Sequence, residues 1–204
     1  MDSAEIRSQK WNKRYQVEGA DWLLRPPSDL LKHYAKFLPS GGLALDAGAG
    51  VGKNSVYLAQ RGVRVIALDI SEVGLSLLHQ RAQQHNLPIA PAVCNLAAPY
   101  LPPNTFDLII NFNFLERATL PMFHQSLKRG GVLVFSTFVQ PTPDHPSKPF
   151  FLKPNELKDT FADFELLHSS QTSYFHKRSQ SIRYVEHFIG RKGQQSANGN
   201  LQGK

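Results

Sequence analysis

Cysteine is nearly missing from this chain: Cys94 stands alone among 204 residues. One thiol closes no internal disulfide, and metal clusters built on paired cysteines are excluded with it. Long hydrophobic runs are missing too, since no stretch nears the roughly 18 apolar residues of a membrane span. The opening MDSAEIRSQKWNKRY is charged and leads into no apolar core, so no secretory leader or membrane association is expected and the expected location is the cytoplasm. Negative charge is scarce as well: 23 Lys and Arg face 16 Asp and Glu, a formal +7. The excess falls late, where Lys177, Arg178, Arg183, Arg191, Lys192 and Lys204 meet only Glu186. Basic and aromatic residues do not alternate densely there, so a solvated end is expected rather than a nucleic-acid surface.

What is present is a chain long enough for one well-buried domain. Residues 1–192 are expected to form it, with a helical cap over about residues 1–40 and a frayed tail, GQQSANGNLQGK, from 193 to 204. Helical patterns lie around EIRSQKWNKRY and in PPSDLLKHYAKFL, where Ser28 is placed to cap and Leu30, Leu31, Tyr34, Phe37 and Leu38 share a face. After Gly41-Gly42 apolar runs alternate with helical ones: LALDA, VRVIALDI, IAPAVCN, TFDLIINF and GGVLVFSTF, with helices expected at Lys53 to Gln60, Val73 to His85 and Pro121 to Lys128. Gly130-Gly131 is expected to close the last of these, with SLKR supplying cations at its negative end. Strands alternating with helices predict a Rossmann-like α/β fold, a mostly parallel sheet with helices on both faces. Pro88 and Pro91 place the third strand at the edge, because proline donates nothing to a central ladder. Then come a proline-rich loop, a short helix in NELKDTF, and the strands FELLHSSQ and SIRYVEHFIGRK, an antiparallel pair joined by the linker TSYFHKRSQ.

The stretch LALDAGAGVGKNSVYLAQ, residues 43 to 60, carries the chemistry. A glycine-rich turn between strand and helix lets a ligand approach bare backbone N–H groups. Dinucleotide loops read G-x-G-x-x-G, whereas Gly48, Gly50 and Gly52 are spaced G-x-G-x-G and Lys53 follows. A Walker loop needs G-K-[ST], and Asn54 stands after Lys53. Asp46 puts negative charge where a pyrophosphate would be repelled, so the expected ligand bears adenosine without phosphates and carries positive charge. S-adenosylmethionine fits; nicotinamide adenine dinucleotide is the alternative. Asp69, ending VRVIALD, stands where an acid can accept both ribose hydroxyls, and Asn95 of CNL stands near the adenine edge. Capping of the following helix and turn formation are the structural alternatives for these two.

Asp46 to Ser55, VIALDIS, TFDLII and LKRGGVLVF resemble the successive motifs of class I S-adenosylmethionine-dependent methyltransferases. GAGVGKNSVYLAQRGVRVIALDIS, WNKRY, FLERATLP and KPFFLKPNEL are similar to the tellurite-resistance branch, so the resemblance covers roughly residues 8 to 190. It implies a seven-stranded methyltransferase sheet and a cofactor site of Asp46, Ala47, Gly48, Ala49, Gly50 and Asn54 in the first loop, Asp69 and Ile70 after the second strand, Asn95 and Leu96 after the third, and Asn111 and Phe112 after the fourth. The family often has cysteine where Ala49 stands and an acid where Asn95 stands.

Methyl transfer from a sulfonium is an in-line displacement that depends on positioning and on exclusion of water. No unmistakable base is visible, which suits an acceptor that arrives anionic or as a soft nucleophile. The candidate orienting residues are Phe114, Glu116 and Arg117 after the fourth strand and His145 in the proline-rich loop with Lys148, Phe150 and Phe151. Trp11, Arg14 and Tyr15 on the first helix are candidates to cover the cofactor, an aromatic face for a sulfonium and a guanidinium for its carboxylate. NFNF lacks both prolines of the Asn-Pro-Pro-Tyr turn of amino-group methyltransferases. The expected acceptor is a small molecule and the expected state a monomer or weak homodimer. The alternatives are a polymer-modifying enzyme using the basic C-terminal region and a catalytically silent cofactor-binding module.

Overall fold

The computed structural model describes residues 3–141, 150–176 and 180–193. The strands LALDA and VRVIALD, apolar on both sides, pair where a strand must be buried on two faces. β1 (Leu43–Ala47) lies between β2 (Arg64–Asp69) and β4 (Phe106–Phe112), and both pairings are parallel, with Asp46 opposite Ala67 and Ile110. β3 (Ile89–Val93) is outermost beside β2, as its prolines require, and β5 (Leu127–Phe138) extends the sheet beyond β4. β7 (Ser181–Lys192) joins β5 antiparallel and β6 (Phe164–His176) closes the far edge, giving the order β3-β2-β1-β4-β5-β7-β6. The reversal of strand order beside β1 opens the crevice at the carboxyl ends of β1 and β4.

Alternation along the strands divides two cores. Ala44, Val65, Leu108, Ile110, Val132, Val134 and Ile189 face α2 (Asp29–His33) and α3 (Lys53–Ala59). Leu45, Ile109, Leu133, Phe135 and Phe188 face α5 (Thr119–Ser126) and α6 (Glu156–Thr160). α1 (Ser3–Leu23) lies on α4 (Glu72–Gln84), a close approach that glycine permits: a Cβ on Gly74 would stand 3.0 Å from the Tyr15 ring and one on Gly19 would stand 2.8 Å from Leu77.

Three local expectations are corrected. The helix expected at Pro121 to Lys128 starts at Thr119 and stops at Ser126, and Gly130-Gly131 lies inside β5 rather than capping it. Leu127 is fully buried and pairs with Phe106, and the register then slips before Leu108 meets Val132, with Gly130 at φ +75° in the irregularity. The last carbonyls of α5 are satisfied from outside the helix: Asn104 N donates to Gln125 O at 3.0 Å and Thr105 N to Ser126 O at 2.8 Å, while Lys192 Nζ donates to His124 O at 2.7 Å and to Leu127 O of β5 at 2.8 Å. Secondly, Leu30 to Leu38 is not one helix, because Tyr34 leaves helical geometry at φ −104° and Ala35–Phe37 forms a separate 3₁₀ turn; Ser28 makes no side-chain cap. Thirdly, Thr172 to His176 belong to β6 and pair as far as Ser181, so most of the expected linker is strand. The tail beyond residue 193 lies outside the described residues.

Candidate functional site

The chain turns sharply after β1 because three glycines take the left-handed conformation, with φ +75° at Gly48, +57° at Gly50 and +70° at Gly52. Other residues adopt that geometry at a cost. There is also no room for side chains: a Cβ on Gly48 would lie 2.9 Å from Phe114 Cβ, and one on Gly50 would lie 2.5 Å from the Tyr15 hydroxyl. The bare main chain is thus a cradle that any larger residue would fill.

Carboxylates bracket it. Asp46 is buried at the end of β1 and accepts a hydrogen bond from Ser55 Oγ at 2.6 Å; burial pushes its pKa up to about 7. Asp69 accepts from Gly50 N and Ser71 N, both at 2.8 Å, tying the glycine loop to the start of α4. Ile70 N–H is a further backbone donor to this carboxylate, and its roughly four lone-pair directions are not all taken. Burial raises the Asp69 pKa as well. Asn95 Oδ1 accepts from Ala97 N at 3.1 Å and from Arg7 at 3.4 Å, and Leu96 is buried beneath it. Asn54 is buried, its amide oxygen accepting from Ser28 N at 2.9 Å.

α1 roofs the cradle. Tyr15 is buried over Gly50 and stacks with Trp11 at 5.7 Å, and its phenol pKa is raised by burial and by Asp69. Arg14 lies over the rings of Trp11 and Trp22 and pairs with Glu18 at 3.3 Å. Two residues that the sequence pattern did not single out hold this helix down. Asn12 Oδ1 accepts from Ser71 Oγ at 2.6 Å and Val73 N at 3.3 Å, and Ser8 Oγ donates to Ile70 O at 3.1 Å. Asn at i and Ser at i−4 share a helix face, a polar stripe that the pattern does contain.

At the tip of β4, Asn111 is fully buried; its amide nitrogen donates to Phe114 O at 2.6 Å, while Oδ1 has no hydrogen-bond partner among the described residues. A buried acceptor left unmatched calls for a donor. Phe112 and Phe114 are half-buried beside it. Glu116 approaches Arg7 at 3.6 Å, and Arg117 grips Glu156 through two nitrogens at 2.6 and 2.8 Å and donates to Phe151 O at 2.9 Å, which fastens the β4 loop to α6. His145 and Lys148 lie outside the described residues. Beyond β4, Ser136 of β5, Thr172 of β6 and His187 of β7 meet, a cluster split across three strands that no local motif announces: His187 Nδ1 is 2.9 Å from Ser136 Oγ and Nε2 is 3.2 Å from Thr172 Oγ1.

Residues 44–131, spanning β1 to the start of β5, match the family model described as "Methyltransferase domain". The chain is 31% identical over 149 residues to a probable S-adenosyl-L-methionine-dependent methyltransferase, TehB, of Haemophilus influenzae, over 67% of this chain and 51% of that protein. This chain belongs to the class I methyltransferases, as its loop motifs imply. Methyltransferases are among the solved structures that share its fold, as is a [4+2]-cyclase, SpnF, with a TM-score of 0.71 at 16% identity over 91% of this chain and 96% of that one. The crystal structure of TehB from H. influenzae superimposes with a TM-score of 0.70 at 23% identity, covering 81% of this chain and 62% of that one. Geranyl diphosphate C-methyltransferase from Streptomyces coelicolor, solved with Mg2+, geranyl diphosphate and S-adenosyl-L-homocysteine, gives 0.71 at 16% identity over 94% and 98%. These three likenesses are of fold. The chain spans about half the length of the curated relative it matches.

Proposed function

We propose that this methyltransferase binds S-adenosylmethionine across the tips of β1, β2 and β4 and passes its methyl group to a small acceptor, anionic or softly nucleophilic. The observation that carries the reading is the left-handed glycine cradle clamped by the Asp69 carboxylate and faced by the unmatched Asn111 Oδ1. In this reading the remaining lone pairs of Asp69 accept the ribose hydroxyls, with Ile70, Asn95 and Leu96 along the nucleoside. Ala47 to Gly50, Asn54, Asn111 and Phe112 surround the amino-acid end, whose ammonium supplies the donor that Asn111 needs. Trp11 and Tyr15 cover the sulfonium, and Arg14 reaches its carboxylate when it leaves Glu18. The bound cofactor supplies an activated methyl, and the protein's part is to position the acceptor and exclude water.

The acceptor is small in this reading because basic residues near the C-terminus already have partners in the fold: Lys192 donates to His124 O near the end of α5, and Arg191 forms a surface pair with Glu165 at 2.8 Å. Lys177 and Arg178 lie outside the described residues. Phe114, Glu116 and Arg117 border the acceptor's path, Arg117 by positioning the loop. Calorimetric titration with S-adenosylmethionine, S-adenosylhomocysteine and nicotinamide adenine dinucleotide tests the cofactor assignment. Micromolar uptake of the first two without the third is expected, and Asp69→Ala is expected to weaken it by about tenfold or more, as loss of a charge-assisted hydrogen-bond acceptor requires. Uptake of the dinucleotide instead overturns it.

A further inference from the structure

A cavity of about 200 Å3 lies beside the tip of β4 on the α3 side of the sheet, between Lys53 and Ser28 on one wall and Ser136, Thr172, Tyr174 and His187 on the other, with Phe112 and Val185 lining it. Among the described residues no carboxylate lines it. Lys53 forms no ion pair among the described residues, and burial, reinforced by the neighbouring Arg25, lowers its pKa. Asp29 and Asp46 attract its charge without forming an ion pair among the described residues, and a partly desolvated ammonium with no carboxylate in contact favours an anion from outside.

The opposite wall is arranged to meet such an anion. Both ring nitrogens of His187 have a hydroxyl partner, and burial lowers the imidazole pKa, which favours the neutral ring. A neutral imidazole donates through one nitrogen and accepts at the other. Whichever tautomer holds, the hydroxyl that accepts from the ring keeps its own proton for a ligand, Ser136 in one case and Thr172 in the other.

We propose that this cavity is the acceptor pocket and that the acceptor is a small organic oxyanion with an apolar body, held by Lys53 and the hydroxyl pair around His187. The proposal rests on the methyl-transfer reading above. The size argues for an organic rather than an inorganic anion, since a cavity of about 150 Å3 already takes up benzene, and Phe112, Val185 and Tyr174 offer walls that a bare oxyanion leaves unused. In the transfer, a carboxylate oxygen forms the new O–C bond as the S–C bond breaks. The bonding pair stays on sulfur and no proton is released, so the reaction needs no general base. The product ester is neutral, no longer matches Lys53, and leaves.

Benzoate and its uncharged equal in size, benzamide, are the probes, titrated calorimetrically into the full chain with and without saturating S-adenosylhomocysteine. Benzoate is expected to bind at least about tenfold more tightly than benzamide, and Lys53→Met to erase that preference. Thr172→Trp, an exposed position whose indole fills the cavity, is expected to abolish benzoate binding while S-adenosylhomocysteine still binds. In the wild type, benzamide binding as well as benzoate, or selenite displacing benzoate at equal concentration, overturns the proposal, as does benzoate binding unchanged in Lys53→Met. If S-adenosylhomocysteine itself fails to bind, the cofactor reading falls, while the benzoate comparison still decides the pocket.

Discussion

Asp46 is the residue whose environment and sequence position disagree most. A carboxyl beside a glycine loop reads as a charge for the ligand, yet in the folded chain it is buried with the hydroxyl and backbone N–H of Ser55 as partners, and burial raises its pKa to about 7 from 3.8. Between those values the native state holds a proton that the unfolded chain has released. Its contribution to stability is intact below the lower value, falls as pH rises, and is gone above about 7. Asp46→Asn keeps the acceptor for Ser55 and removes the titration. Chemical denaturation at pH 5 and pH 8 is expected to show the variant gaining on the parent with rising pH, by at most about 1.4 kcal/mol per pH unit. A constant difference would mean that the carboxyl is ionised throughout. Asp69 was legible as a residue and incompletely legible as a role: its clamp on Gly50 N exists only because β1 and β2 are adjacent.

At the scale of elements, the glycine loop was readable because its conformation is local. Gly52→Ala adds a Cβ at φ +70° that collides with Leu78, and a loss of about 2–4 kcal/mol in urea unfolding is expected from strain and overlap together. The end of α5 was not readable, since SLKRGG carries every local sign of a capped helix. Lys128 instead reaches Asp107 at 2.9 Å, and the cap comes from Asn104 N, Thr105 N and the Lys192 ammonium. Lys192→Met is accordingly expected to cost about 1–3 kcal/mol, the range for hydrogen bonds to a charged group, whereas a helix capped by its own glycines would leave stability unchanged. The third strand shows the opposite case: prolines exclude a central position by chemistry alone, and β3 is at the edge.

Across the whole molecule the α5–α6 side is held by phenylalanines from distant segments: Phe161 contacts Phe164 at 5.2 Å and Phe188 at 5.7 Å, joining α6, β6 and β7. Phe188 is 1% exposed, and Phe188→Ala is expected to cost about 3–5 kcal/mol in a single cooperative transition. Loss confined to β6 and β7, seen as local hydrogen exchange with the rest protected, would show that the antiparallel pair unfolds separately. No described helix is long and apolar enough to cross a membrane. Sequence by itself determined the alternating α/β order, the edge position of β3, the glycine cradle and the family, because periodicity, proline chemistry and left-handed turns act within a few residues. Tertiary structure alone decided the clamp of Asp69, the cap by Lys192, the docking of α1 through Asn12 and the meeting of Ser136, Thr172 and His187. Each depends on strands or helices far apart in the chain becoming neighbours, and hydrogen bonds about 3 Å long leave no trace in a linear pattern.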